Sequence, residues 1–380
     1  MTRTLLIIIG LICAVIGAVG IIHYTPLNAA RRNLDNKDAH TRTVAIYKIA
    51  LFKDIGSIPK LRKLLNDDNA KVRSSAVYVL GEFGDKESIP VIRKRLDDAS
   101  PIVRLESISA LRNLKDKESI PAIRKLLKDE NADVRSRTIS NLLSFDGDKP
   151  DAESIVEIRK LLNDANQNIC QQVVMSLVIF NDQESIPEIR KLLNDKEPKM
   201  RAYAVFGISR LAGRESIPEI RKFLRDESLY VREEAICAMA ELKDRESIPE
   251  IRKFLNDENE RIILAAINTL TELGDKELIP TMRKSLGNEA SSIRSAAAYA
   301  LAGLDDQESI PDIRKMLEDT DKWVRCSATN VLSKFRDHES IPQIKKLLKD
   351  KERDVRYFAK IALKDLGVPA EEIEKAKEGK

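Results

Sequence analysis

The sequence predicts an all-α chain, a right-handed α-solenoid (superhelix) of about ten two-helix repeats. Three observations predict it. The string ESIPEIRKLLND at Glu184–Asp195 returns as ESIPEIRKFLRD from Glu215 and ESIPEIRKFLND from Glu246, with near copies from Gly56 to Glu339. Its prolines stand at Pro59, Pro90, Pro121, Pro187, Pro218, Pro249, Pro280, Pro311 and Pro342. They are 31 residues apart except across Pro121–Pro187, where Val156 takes the place after a four-residue insertion. A constant period in this range marks stacked repeats. Aromatics at 4% and only 14 glycines in 380 residues suit helices better than β-sandwiches.

The N-terminus stands apart. Residues 5–22 read LLIIIGLICAVIGAVGII, 18 residues without charge. At ~1.5 Å per residue that is about one hydrocarbon core. The segment 1–24 therefore reads as a single-pass transmembrane anchor or a cleaved signal. LNAA at Leu27–Ala30 offers a weak cleavage site, and Ile12 before Cys13 argues against a lipobox. The expected location is a membrane, with the repeats leaning to the extracytoplasmic side. Residues 25–36 read as a linker and 37–52 as one unpaired cap helix. The repeats run to 366, and 367–380 form a polar C-terminal cap or tail.

Each repeat carries two helix signals. Ile186, Ile189, Leu192 and Leu193 make a helical stripe, and Ser185-Ile-Pro-Glu188 fits a capping box, with Asp182 as a rival cap. In the second helix, Lys71–Phe83, the inner face is Val72, Ala76, Val79, Leu80 and Phe83. Neither helix buries its apolar face alone, so stacking is required. In the first helix the lysine column of Lys63 faces solvent. The Arg62 column reaches between repeats, towards glutamates such as Glu87 and Glu118.

LLNDDNAKVRSSAVYVLGEFGD resembles a HEAT repeat, specifically the short HEAT-like repeats of the phycobilin-lyase type. That family has a proline in the first helix, an Asp in the turn and a Val-Arg pair opening the second. The matching pairs are Asp67/Arg73, Asp98/Arg104, Asp129/Arg135, Asp195/Arg201, Asp226/Arg232, Asp319/Arg325 and Asp350/Arg356, with Asn288/Arg294 softened. They read as a structural ladder. The resemblance implies that second helices line a concave face, with the residues two, five and nine beyond the arginine pointing outward. Most are polar there. Repeat four, which has Cys170 for the arginine, instead offers Gln172, Met175 and Ile179; repeat five offers Tyr203, Phe206 and Arg210. Together these are expected to form a partner-binding patch, with Tyr230 and Trp323 as edge anchors. Ile263 replaces the ladder arginine in repeat seven.

The expected function is a membrane-tethered scaffold or adaptor that binds a partner protein on the concave face. A spacer rod and a lyase or accessory subunit of a modification enzyme are the alternatives. Lys+Arg 65 against Asp+Glu 61 is too balanced to indicate nucleic acid. Three histidines, with His338-Glu339 the single His-Glu pair, cannot assemble the di-iron site of the deoxyhypusine hydroxylases in this family. No nucleotide, hydrolase or zinc-protease motif occurs. Catalysis, cofactor, metal and small-molecule substrate are not expected. The partners are an unknown protein and, through residues 5–22, a membrane.

Overall fold

A computed structural model describes residues 26–145 and 150–378 of the chain, and all regular structure among them is helical. The chain divides into two compact units, Met1–Asn181 and Asp182–Lys380. Each is a stack of two-helix repeats, an α-solenoid architecture.

Repeat one shows why the local sequence folds as it does. A 3-10 turn, Ile55–Ser57, leads into the first helix, Ile58–Leu64, with Pro59 in its opening turn. There its missing N–H is harmless. The expected capping box is not what starts this helix. The repeated serine is buried, and its hydroxyl donates backwards. Ser57 reaches the Asp54 carboxylate at 2.6 Å and Ser185 the Asp182 carbonyl at 2.6 Å. The 3-10 turn already satisfies the early N–H groups, so the side chain is freed to tie the turn together. The second helix, Ala70–Glu82, is capped by Asn69, which accepts from Lys71 N at 2.9 Å. It ends at Gly84, whose φ of 68° lets Asp85 N reach back to Leu80 O at 3.0 Å. Val72, Ala76, Val79 and Leu80 are fully buried.

Within each unit, two series of arginine forks link most neighbouring repeats. On the turn side, Arg73 donates through Nη1 to the Asp67 and Asp68 carbonyls of its own turn, at 2.8 and 3.0 Å. Its Nε and Nη2 then clasp the Asp98 carboxylate of the following repeat, at 2.8 and 2.7 Å. Asp98 also accepts from Ser100 N, so one carboxylate closes both the rung and the turn. The same geometry links Arg104 to Asp129, Arg135 to Asp164, Arg201 to Asp226, Arg294 to Asp319 and Arg325 to Asp350. The rungs thus cross between repeats, and Asp164 belongs with them. Cys170 has no guanidinium to extend; its thiol lies 3.2 Å from the Asp164 carbonyl. Where Ile263 replaces the arginine, the following acceptor position is the neutral Asn288, so no carboxylate is left to pair.

Pairing each arginine with the aspartate six residues before it therefore needs correction. That aspartate gives the arginine its backbone carbonyl and turns its carboxylate to the preceding repeat. Asp350/Arg356 shows the division. Arg356 donates through Nη1 to the Asp350 and Lys351 carbonyls at 2.6 and 2.9 Å, while the Asp350 carboxylate is held by Arg325. Arg356 stands in the last repeat, and among the described residues no following carboxylate meets it. It closes its own turn without forming a rung.

The second series springs from the first helices. Arg62 clasps Asp85 and reaches Glu87, and Arg93, Arg221, Arg252, Arg283 and Arg314 repeat the pattern on Asp116, Asp244, Asp275, Asp306 and Asp337. In repeat five Gly213 takes the place of that aspartate, and Arg190 forks onto Glu219 instead. Asp151, below the insertion, receives Arg124 at 2.7 Å.

The N-terminal boundary is corrected as well. Of the expected linker 25–36, residues 26–33 are helical, and Ala30 and Leu34 are buried. Arg31 clasps Asp54, and Arg42, in the helix Ala39–Leu51, pairs with Asp67 at 2.7 Å. Subtracting 31 from Arg62 and Arg73 gives Arg31 and Arg42. Residues 26–54 are therefore a repeat of their own, here termed repeat zero, that has lost the proline string. Lys48 is exposed where other repeats bury small residues such as Ala110, Ala238 and Ala300. At the other end, Ala370–Glu378 is a helix that buries Ile373 and pairs Glu372 with Lys345.

The single-pass membrane anchor is also corrected. Among the described residues no helix is long and apolar enough to cross a membrane, and the run 5–22 lies outside them. The expected membrane location, and the side assigned to the repeats, have no support among the described residues.

Removing one side of a buried rung leaves an uncompensated charge, at a cost of about 3–5 kcal/mol. Arg104 and Asp129 have side chains only 8% and 5% exposed. Arg104→Met is expected to lose that much in urea unfolding of the full chain, against less than ~0.5 kcal/mol for Lys63→Met on the exposed column.

The ladder also sets an acid limit. Burial pushes the carboxyls of Asp98, Asp164, Asp226, Asp319 and Asp350 up, but the arginine forks and turn N–H groups outweigh it, and all five lie below the usual value. Unfolded aspartate titrates near ~3.9. The stabilisation is therefore complete above about pH 4 and drains away as pH falls through the lower folded values. The urea midpoint is expected to hold between pH 5 and 7, by ~0.3 M or better, and to drop steeply below about pH 4.

Candidate functional site

The second helices present one row each of three side chains, two, five and nine residues beyond the ladder position. Neighbouring rows touch. In the first unit Tyr47 and Ser75 hydroxyls lie 3.3 Å apart, Asn113 donates to Glu82 at 3.1 Å, and Arg137 donates to Ser109 at 3.2 Å. Gln172 is half-buried, receiving the Ser136 hydroxyl at 2.8 Å and donating to that of Ser140 at 2.9 Å. In the second unit Asn330 donates to the Tyr299 hydroxyl at 3.3 Å. The rows form a continuous face within each unit.

The first unit's face is apolar at both ends and polar between. At the far end Met175 and Ile179 are 46% and 74% exposed. At the near end, which the sequence reading missed, Val44, Tyr47 and Leu51 are 37%, 50% and 77% exposed, with Tyr78 exposed beside them. These three stand two, five and nine beyond Arg42. The signal was present, but it required reading 26–54 as a repeat. A groove of about 580 Å³ opens in the polar middle, lined by Leu105, Arg112, Ser136, Arg137 and Ser140 among others.

The second unit's face opens with Tyr203 and Phe206, both half-buried. Burial pushes the Tyr203 phenol up. Arg210 stacks its guanidinium 3.7 Å from the Phe206 ring centre and reaches Glu241, with Glu234 at 3.7 Å. It is thus held by its neighbours, although exposed. Burial also raises the Glu234 carboxyl, and Cys237, beside Glu234, Glu233, Glu241 and Glu272, is pushed up to about 11, first by burial and then by those charges. Further along, Tyr299, Tyr357 and Ile361 are exposed. Met175 and Ile179 belong to one unit, and Tyr203 and Phe206 to the other; each pair contributes to its own face.

Tyr230 and Trp323 lie off these rows, at the openings of their second helices. Tyr230 is 47% exposed, with Arg261 5.4 Å from its ring centre, and Trp323 is 54% exposed, with Lys322 at 4.7 Å. Among the described residues no group of three or more His, Cys, Asp or Glu is placed to hold a metal ion.

Segments 26–112, 58–143, 89–157, 186–249, 217–302 and 286–364 each match the family pattern of HEAT repeats. No curated protein matches the chain in sequence. Among solved structures, Kap95p with RanGDP aligns at a TM-score of 0.68 and 12% identity, over 90% of this chain and 56% of that one. Yeast importin-β (Kap95p) aligns at 0.66 and 13%, over 90% and 56%. Importin-β in an ammonium sulfate condition aligns at 0.57 and 14%, over 90% and 57%. The chain spans a little over half the length of these importins, and likeness at this identity shows the fold alone.

The electrostatics around Cys237 yield a chemical expectation. Its thiolate fraction is small at pH 8, so iodoacetamide should label it roughly 10-fold more slowly than a free cysteine. Glu234→Gln/Glu241→Gln should speed labelling, followed by peptide mass spectrometry. Unchanged rates would show that those carboxylates do not govern the thiol.

Proposed function

The chain belongs to the HEAT-repeat family, and we propose that it is a non-enzymatic scaffold that grips a partner protein with its second-helix face. The Val-Arg openings and short period support placing it with the phycobilin-lyase-type repeats within that family. The observation that carries the reading is the distribution of exposed apolar side chains. Val44, Tyr47, Leu51, Tyr78, Met175, Ile179, Tyr299 and Ile361 all stand on second-helix rows. Large apolar groups held exposed on a rigid support are suited to anchoring a protein ligand. The closed rungs cannot serve in the same way, because their forks are consumed by the neighbouring repeat. A HEAT stack holding a folded protein has a precedent in Kap95p, which binds RanGDP.

In the first unit, apolar stations at repeats zero and four flank the polar groove at repeats two and three. Neighbouring helices lie ~8–10 Å apart, so a partner reaching both stations spans roughly 30–40 Å. Tyr203, Phe206 and Arg210 supply a further station, with aromatic faces and the Arg210–Glu241 pair at its rim. Tyr230 and Trp323 flank the face at its edge.

The test is a cross-linking capture by the full chain from the cells that make it, against two variants whose folding is checked by circular dichroism: Tyr47→Glu/Leu51→Glu and Tyr203→Glu/Phe206→Glu. A specific protein retained by wild type is expected to fall at least about tenfold with one or both variants, as loss of two anchors implies. Capture unaffected by both variants would remove the face as the binding surface. Absence of any selective partner would favour the spacer rod.

A further inference from the structure

One internal rung of the turn-side series is open. Arg232 anchors Nη1 on the Asp226 and Glu227 carbonyls at 3.0 and 3.1 Å, as its counterparts do on theirs. Asp257 follows 25 residues later, the interval that separates Arg201 from Asp226 and Arg294 from Asp319. Yet among the described residues no ion pair joins Arg232 to Asp257, and Asp257 receives the Asn259 N–H at 2.8 Å. The Nε–Nη2 edge, which Arg201 and Arg294 turn onto a carboxylate, has none here.

A groove of about 510 Å³ lies against this guanidinium, lined by Leu224, Arg225, Glu227, Arg232, Lys253 and Phe254 among others. Its acids are already engaged. Asp226 and Glu227 pair with Arg201, and Glu250 pairs with Arg225. Arg232 and Lys253 remain without a carboxylate partner among the described residues. The groove therefore offers two cations without a carboxylate beside the half-buried ring of Phe254.

We propose that the open rung at Arg232 is a binding site for a carboxylate carried next to an apolar group. The guanidinium edge would hold both oxygens in the fork used elsewhere in the ladder. Lys253 would supply a second charge, and the half-buried Phe254 would cover the apolar neighbour. The ligand takes the place against Arg232 that the Asp257 carboxylate does not fill. An acidic side chain in a partner peptide and a free small dicarboxylate share this chemistry. The site stands independently of the second-helix face.

Two measurements on the full chain test it. In the first, Arg232→Ala, Asp257→Ala and the double variant are compared by urea unfolding beside the closed rung, Arg201→Ala and Asp226→Ala. The unfolding constants should combine within about twofold of additivity for the open rung, and depart from it by at least about tenfold for the closed one. A coupling at Arg232–Asp257 equal to that at Arg201–Asp226 would overturn the proposal, since the rung would be closed. In the second, the arginine Nε–H resonances are followed by NMR while acetyl-Leu-Glu-Leu-amide or succinate is added. A saturable shift of the Arg232 signal, retained by Lys63→Met and weakened by Phe254→Ser, is expected. A response to the peptide alone assigns a peptide source, and a response to succinate alone a small-molecule one. No shift with either at millimolar concentration would overturn the site.

Discussion

The fork from one repeat's arginine to the next repeat's aspartate is the constraint on which the stack depends. A HEAT helix pair is too short to hold itself together; its first helix can be as brief as Ile217–Ile220. Burial of the leucine and isoleucine stripes supplies the drive to stack, but apolar contact is not directional. The forks supply direction. In a closed rung the guanidinium closes its own turn and fixes the register of the next repeat. The aspartate it clasps also caps the turn that starts the next second helix. With one such series at the turns and another at the first helices, neighbouring layers are held along two edges.

This division of labour explains where functional chemistry can and cannot reside. Arginines such as Arg104 and Arg325 are buried and saturated, so altering them threatens the fold. The lysine column of Lys63, Lys94 and Lys125 is exposed. The second-helix rows are free to vary, and they carry polar residues in some repeats and large apolar ones in others. Two interruptions of the ladder avoid an unpaired arginine: Ile263 is followed at the acceptor position by the neutral Asn288, and Cys170 makes a local contact with its own turn. A lone buried carboxylate would be costly there.

Much of this was legible in the sequence, because a period of 31 and alternating apolar stripes leave few architectures open. The lysine column and the inter-repeat reach of Arg62 followed from 100° per residue. The crossed pairing of Arg73 with Asp98, rather than chiefly with its own turn, did not. Proximity in sequence said nothing of which carboxylate the fork would meet in the next layer. Repeat zero escaped notice because the proline string had decayed, leaving Arg31, Ala30 and Leu34 as its traces. The Ser-x-x-Glu capping box was a false signal, since a 3-10 turn absorbs those N–H groups. For the site, Met175, Ile179, Tyr203 and Phe206 could be placed by register, but Gln172 and Arg210 turned out to be tied to neighbouring helices. Side-chain partners across a stack depend on packing that periodicity does not encode.

If the forks set the cohesion between layers, local stability should follow their presence repeat by repeat. Hydrogen exchange of the full chain, read by mass spectrometry, tests that most directly. The openings of Glu260–Glu272 and Ser291–Gly303 follow the open rung and the Ile263 gap. They should exchange faster, by roughly tenfold or more, than the openings of Pro101–Asn113 and Ala132–Leu143, which follow closed rungs. Equal protection at all four would contradict the account and leave apolar packing alone as what joins the repeats.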